Sequence, residues 1–334
     1  VMSEQLWIRK RALMKGEDGN PAGKLDGNGE LLTFTPAKVL GGYGGYPCKH
    51  ITSDFKKIGE VIGTVKPTTI VELGTGGGGV TAFFAEISKQ WGGEVHTFDI
   101  VHGCRDLADK YDNITFHLAD AIKDEKPNSE IVDLIRREGV MLYCDNGKKE
   151  IEIRLYSGFL KGGSLIGVHD YDTEVNSFWI EDFLNRSGFD KFHHEELSKL
   201  QGTVRYELAP GYQDGKGRHI VDGGSLTRLW IKRIMIFVDV DETICFYDNE
   251  NERFGYKNPI PNYDNIKKIN ELYYKVGNYV KYWTSRGSFS GIDYYDLTRS
   301  QLDSWGCKYH ELSVGEKPSY DLLICDRSKR IEDI

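Results

Sequence analysis

From Thr68 onward the chain alternates short apolar runs with helical stretches: TTIVELG, TAFFAEISKQW, EVHTFDI, a polar helix, ITFHLAD, SEIVDLIRREG, VMLYCDN, KEIEIRLYSGFLKGG and SLIGVHD. Alternation of this kind predicts an α/β fold, a parallel sheet with helices on both faces. Such sheets bind ligands at the carboxyl ends of their strands. That rule singles out Glu72 to Gly79, Asp99, Asp120, Asp145 and the pair His169 and Asp170, because each closes or follows a strand.

Composition divides the chain. Its 334 residues suit two domains at roughly 150 residues each. Thirty-two of the 38 glycines lie in residues 1–233, whereas eleven of the 19 tyrosines lie in the last 101 residues. A boundary near 233 follows, with an amino-terminal extension over 1–54, a first domain over 55–233 and a second over 234–334. No linker rich in Pro or Ser marks the boundary, since SLTRLWIKR runs directly into IMIFVDVDET. The amino terminus has scattered charges and no apolar core, so it does not read as a secretory signal. No apolar run approaches the ~20 residues that span a bilayer. Six widely spaced cysteines without a CxxC pair read as cytosolic free thiols. A net charge of −8 without a basic block argues against a nucleic-acid partner. The expected setting is cytoplasmic, away from membranes, with a small-molecule or glycan substrate; a homo-oligomer is compatible with the sequence.

Glu72-Leu73-Gly74-Thr75-Gly76-Gly77-Gly78-Gly79 links an apolar strand to the helix from Val80 to Trp91. Glycines suit this turn because it needs positive φ and because side chains would keep a ligand from the backbone. The string satisfies GxGxxG, so a dinucleotide-dependent oxidoreductase is one alternative. Three features point elsewhere: an acid two residues before the first glycine, a loop some 70 residues into the chain, and Asp120 ending the third strand, where it could bond an adenine amino group. The pattern resembles the Rossmann-like S-adenosylmethionine-dependent methyltransferases. That resemblance implies that Glu72 and the glycines Gly74, Gly76 and Gly78 line the methionine part of the cofactor, that Asp99 holds the ribose hydroxyls, and that Asp120 lies at the adenine.

Cys144-Asp145-Asn146 ends the fourth strand and Val168-His169-Asp170 the fifth, so a parallel sheet makes them neighbours. Converging carboxylates and an imidazole could bind a hard divalent cation that lowers the pKa of a substrate hydroxyl. His169 could also serve as a general base. The arrangement resembles the cephalosporin hydroxylase family and its sugar and macrolide O-methyltransferase relatives, which place an acid after strand four and an acidic pair after strand five around magnesium. The resemblance implies Asp145 and Asp170 as metal ligands, with His169 standing where the family has an acid.

Ahead of the sheet, Tyr43, Tyr46 and His50 lie in a glycine-flanked segment that suits a lid. After it, a hairpin of Thr203 to Leu208 and Ser225 to Lys232 is expected to complete the sheet. His219 and Arg228 are unassigned candidates for facing the acceptor.

The second domain opens on an apolar run, Ile234 to Val238, followed by Asp239-Val240-Asp241-Glu242-Thr243. Two acids just past a buried strand are costly unless paired or bound to metal. The run resembles motif one of the haloacid dehalogenase superfamily. Thr284-Ser285-Arg286-Gly287 fits motif two, Lys317 motif three and Asp326, after a strand from Leu322 to Ile324, motif four. The resemblance implies a Mg²⁺-dependent phosphatase with Asp239 as nucleophile and Asp241 as acid and then base. Thr284 and Lys317 would hold the phosphoryl group, and Asp239, Asp326 and the Asp241 carbonyl the metal. Cys325 stands where related small capsule-biosynthesis phosphatases carry a second acid, so an inert phosphatase-like binding domain is the alternative. The spacing leaves no room for a large cap. Together the resemblances imply an O-methyltransferase fused to a smaller, capless phosphatase, acting on a sugar or glycan precursor that is itself phosphorylated.

Overall fold

A computed structural model of the chain describes residues 24–25, 31–32, 42–47, 52–101, 104, 106–171, 175–198, 227–248, 255–318 and 327–334. The chain divides into two compact units, Val1–Lys232 and Arg233–Ile334. Among the described residues no helix is long and apolar enough to cross a membrane.

Seven strands form the sheet of the first unit: β1 (Thr69–Leu73), β2 (Glu94–Asp99), β3 (Ile114–Leu118), β4 (Val140–Cys144), β5 (Leu165–Val168), β6 (Phe189–Phe192) and β7 (Arg228–Lys232). Their order is β6-β7-β5-β4-β1-β2-β3. Neighbours among β1 to β5 run parallel, while β7 lies antiparallel between β5 and β6. The order reverses between β1 and β4, which opens a crevice at their carboxyl ends. Helices follow the strands: α1 (Thr52–Gly63) precedes β1, then come α2 (Gly79–Lys89), α3 (Leu107–Lys110), α4 (Ser129–Ile135), α5 (Lys149–Tyr156), α6 (Ser177–Arg186) and α7 (His194–Ser198).

Period-two alternation gives this sheet a core on each face. Ile70, Met141 and Tyr143 face one side and pack with Phe55 of α1 and Phe83 and Phe84 of α2. Val71, Leu142 and Cys144 face the other, against Ile131 and Leu134 of α4 and Ile153 of α5. The strands are therefore apolar on both faces, as a sheet covered by helices requires.

Three expectations change here. The polar helix after β2 shrinks to the four residues of α3. Phe189–Phe192, absent from the expected hairpin, is the partner of β7; Thr203 to Leu208 lies outside the described residues. The segment of Tyr43 and Tyr46, expected as a loop, forms a two-stranded ribbon packed on the core of the first unit. Tyr43 meets Phe55 and Phe83 edge-on at 5.3 and 5.6 Å. Tyr46 is buried and donates to Asp106 at 2.8 Å.

In the second unit β8 (Ile234–Val238), β9 (Asn278–Thr284) and β10 (Glu311–Val314) lie parallel in the order β8-β9-β10. Helix α8 (Tyr263–Tyr273) leads into β9, and α9 (Tyr295–Ser304) connects β9 to β10. Val238, Val280, Tyr282, Ile266 and Leu302 make the core. The expected burial of β8 is corrected: Met235 and Phe237 are 47% and 54% exposed, and only Val238 of the strand is buried. Among the described residues β8 has a neighbour on one side alone.

Candidate functional site

Glycine lets the loop after β1 come closer than any other residue would. Gly74 has φ +99°, and a Cβ there would lie 2.9 Å from the Asp145 carbonyl oxygen and 3.0 Å from the Asn146 nitrogen. The loops after β1 and β4 thus touch through their backbones. Gly76, at φ +53°, faces open space, a surface that a ligand can approach. Gly78, also left-handed, caps α2.

Glu72 lies beneath this loop, fully buried. Its Oε2 accepts from Thr81 Oγ1 at 2.6 Å and Thr97 Oγ1 at 2.7 Å, while Oε1 has no hydrogen-bond partner. Burial pushes its carboxyl up to about 8 against the pull of the two hydroxyls. Glu72 therefore braces the loop from below, holding Thr81 of α2 and Thr97 of β2. Asp99 accepts from the backbone nitrogens of Gly76 and Val101, both at 3.0 Å. A carboxylate offers about four acceptor positions, so two remain for hydroxyls. Asp120 is exposed, with Oδ1 accepting from Ile122 N at 2.9 Å. The open face at Gly76 beside Asp99 fits a nucleoside ligand.

The strand ends after β4 and β5 converge as the sequence predicts. Asp145 N donates to Leu73 O at 3.0 Å and His169 N to Cys144 O at 3.2 Å, fixing both ends to their neighbours. His169 Nδ1 lies 3.2 Å from Asp145 Oδ1 and 3.3 Å from Asp170 Oδ2. One ligand atom from each of Asp145, His169 and Asp170 falls within 4.8 Å of the others. Two carboxylates and an imidazole fit a divalent cation. Burial works against a charge on His169, but Asp145 and Asp170 outweigh it and push the imidazole up to about 9. At neutral pH the ring is an imidazolium, so it must lose a proton before it can serve as a base or a ligand. Burial opposes the charge on Asp170 too, yet His169 and Lys149 hold its carboxyl well below the usual range. Its backbone is left-handed, φ +57°, a conformation Asp tolerates better than most residues.

Sequence reasoning missed two residues here. Lys149, in the first turn of α5, is buried, with Nζ 3.1 Å from Asp170 Oδ2 and 3.8 Å from Asp145 Oδ1. Its spacing of four from Asp145 was the available signal. Glu152, one helical turn on, is fully buried with neither oxygen completing a hydrogen bond. Burial pushes it up to about 8 despite Lys149 nearby. His50 and His219 lie outside the described residues. Arg228 stacks on Tyr171, its guanidinium 5.2 Å from the ring centre.

In the second unit Asp239, Thr284 and Lys317 lie at or beyond the carboxyl ends of β8, β9 and β10. Asp239 Oδ2 pairs with the Lys317 ammonium, and Oδ1 accepts from Val240 N at 2.9 Å. Thr284 is buried, its hydroxyl accepting from Arg286 N at 3.3 Å. Asp241 is engaged elsewhere. Arg286 grips it from both sides of its fork, Nε to Oδ2 at 2.9 Å and an η-nitrogen to Oδ1 at 2.7 Å, and Tyr247 donates to Oδ1 at 2.7 Å. The other η-nitrogen reaches Gln301 at 2.6 Å and Thr298 at 3.3 Å. Asp241 is thus an acceptor in this arrangement, and donating a proton requires releasing a partner. Sequence reasoning placed Arg286 in a motif without seeing this contact. Asp326 and Cys325 lie outside the described residues.

Residues 41–186 match the family described as Rhamnosyl O-methyltransferase/CmcI. That span falls inside the first unit and is less than half of the chain. No curated protein matches the sequence significantly. An apo-structure of CmcI is 16% identical over 61% of this chain and 79% of its own, with a TM-score of 0.41. A putative O-methyltransferase from Klebsiella pneumoniae is 14% identical over 56% and 84%, with a TM-score of 0.37. A structural-genomics target from Vibrio cholerae is 24% identical over 30% and 85%, with a TM-score of 0.26. These overlays are too loose to decide function. The family match supports the resemblance of the first unit to S-adenosylmethionine-dependent O-methyltransferases.

Proposed function

We propose that the chain is a bifunctional enzyme: an S-adenosylmethionine-dependent O-methyltransferase in residues 55–233 and a Mg²⁺-dependent phosphatase of the haloacid dehalogenase type in residues 234–334. The observation that carries the first activity is the meeting of Asp145, His169 and Asp170 one strand from the glycine loop, inside the span that matches an O-methyltransferase family. When bound, S-adenosylmethionine supplies an electrophilic methyl group, and a divalent cation lowers the pKa of the acceptor hydroxyl. Asp99 would hold ribose hydroxyls with its two remaining acceptor positions and Asp120 the adenine amino group. Asp145, Asp170 and deprotonated His169 would hold the cation. A sugar acceptor follows from the rhamnosyl substrate in the family's description.

In the second unit Asp239 is the nucleophile, held by Val240 N through one oxygen and by Lys317 through the other. Lys317 and Thr284 flank it and would hold phosphoryl oxygens. Asp239, the Asp241 carbonyl and Asp326 would hold Mg²⁺. The grip of Arg286 on Asp241 favours a second reading of this unit, in which it binds a phosphorylated ligand without turnover.

Mass spectrometry of the denatured full-length protein tests the first half: S-adenosylmethionine or S-adenosylhomocysteine should be released, and a nicotinamide dinucleotide in its place overturns the reading. Hydrolysis of an aryl phosphate with Mg²⁺, set against Asp239→Asn, tests the second. Equal rates remove the nucleophile assignment.

A further inference from the structure

Lys149 and Glu152 have no part in the chemistry above, yet both are buried at the acidic cluster. A lysine is rarely buried unless paired, and this one is paired with two of the three residues that would ligate a cation. A divalent ion entering between Asp145 and Asp170 meets a positive charge already there. At about 4 Å, like charges in a partly screened interior repel strongly enough to change affinity by orders of magnitude. The ammonium must then move, and it cannot be left bare in the interior. One helical turn away, Glu152 is a fully buried acid with the Cys144 thiol, the Asn146 backbone and the Lys149 charge about it. Residues three apart on a helix are neighbours, so the flexible lysine stem can reach it.

We propose that Lys149 is a resident counter-ion occupying the acidic cluster in the metal-free protein, and that a divalent cation binds by displacing its ammonium onto Glu152. The inference rests on the cation reading of Asp145, His169 and Asp170. It adds that cation binding is an exchange, with affinity set by a residue that is not itself a ligand. The exchange keeps both carboxylates neutralised in either state. Glu152 gives up its proton as it takes the ammonium for a partner.

The test is Mn²⁺ binding to the full-length protein, followed by electron paramagnetic resonance of the free ion. Asp170→Asn identifies the relevant class of sites as the one it abolishes. If it abolishes none, the cation reading itself fails, an outcome separate from failure of the exchange. Within that class Lys149→Met should tighten Mn²⁺ at least ~10-fold, because the competing charge is gone. Glu152→Gln should weaken it several-fold with Lys149 present and leave it unchanged in the Lys149→Met background. Unchanged or weaker binding in Lys149→Met overturns the proposal, as does an equal effect of Glu152→Gln in both backgrounds. Should Lys149→Met not fold, Glu152→Gln alone decides: unchanged affinity overturns the exchange.

Discussion

Each unit gathers acids at the carboxyl ends of its parallel strands, and each places a buried cation against them, but the two cations are held differently. Lys149 is a point charge on a flexible stem, 3.1 Å from one carboxylate and 3.8 Å from the other. Arg286 is a planar fork locked to both oxygens of Asp241, with further bonds to Gln301 and Thr298 and its guanidinium 5.0 Å from the Tyr256 ring centre. The lysine can leave without dismantling its surroundings. The arginine cannot, since its donors tie β9, α9 and the loop after β8 into one piece. An acid cluster built to exchange its cation and one built to keep it are thus told apart by the geometry of the counter-ion.

Arg286→Met should do the most to break this contrast. It strands Asp241 and removes five donors, and about 3–5 kcal/mol of stability should go with it, read as an early denaturant transition of the second unit. A loss below about 1 kcal/mol would mean the fork is not holding the unit together. Lys149→Met leaves His169 to balance the acids, so the loss in the first unit should be smaller, about 1–3 kcal/mol. Parity with Arg286→Met would erase the distinction. Thr81→Ala, which removes one hydrogen bond from Glu72, should cost about 1–2 kcal/mol by thermal melting.

Glu72 sharpens the same contrast through pH. Its carboxyl ionises near 4.5 when unfolded but near 8 when folded. Its contribution to stability is therefore complete below about pH 4.5 and is lost as pH rises through about 8. Glu152, also pushed up to about 8, adds a slope of the same sign. Glu72→Gln should flatten the melting temperature against pH over that window without abolishing the slope. An unchanged slope would show that Glu72 is already ionised in the fold over that window. At the bottom of the scale, the exposed pair of Lys89 and Asp112 at 2.8 Å should contribute least, so that Asp112→Asn leaves the melting temperature unchanged in low and in high salt.

The strand and helix alternation made the first sheet legible, because its strands are apolar on both faces and its helices are long enough to show. Asp145, His169 and Asp170 were legible for the same reason: the end of a parallel strand is a fixed place. Lys149 and Glu152 were not. They lie in a run, Gly147-Lys148-Lys149-Glu150-Ile151-Glu152, that reads as mostly solvated, and only the register of α5 turns 149 and 152 inward. Arg286 escaped in another way, since its partner is 45 residues back in sequence. Met235 and Phe237 were expected inside because an apolar run reads as buried whether or not both of its faces are covered. The ribbon at Tyr43 and Tyr46 was not legible because the packing of Tyr43 against Phe55 and Phe83 has no local signature.

The contact between Gly74 and the Asp145 backbone bears on how variants of this protein are interpreted. A Cβ at 74 meets main-chain atoms that cannot swing aside, and Asp145 is itself bonded to Leu73. A substitution at Gly74 therefore moves the acid cluster along with the loop. A genetic screen that recovers a change at Gly74 would see the phenotype of two lesions and record one. Assigning such a defect to cofactor binding alone would misplace it.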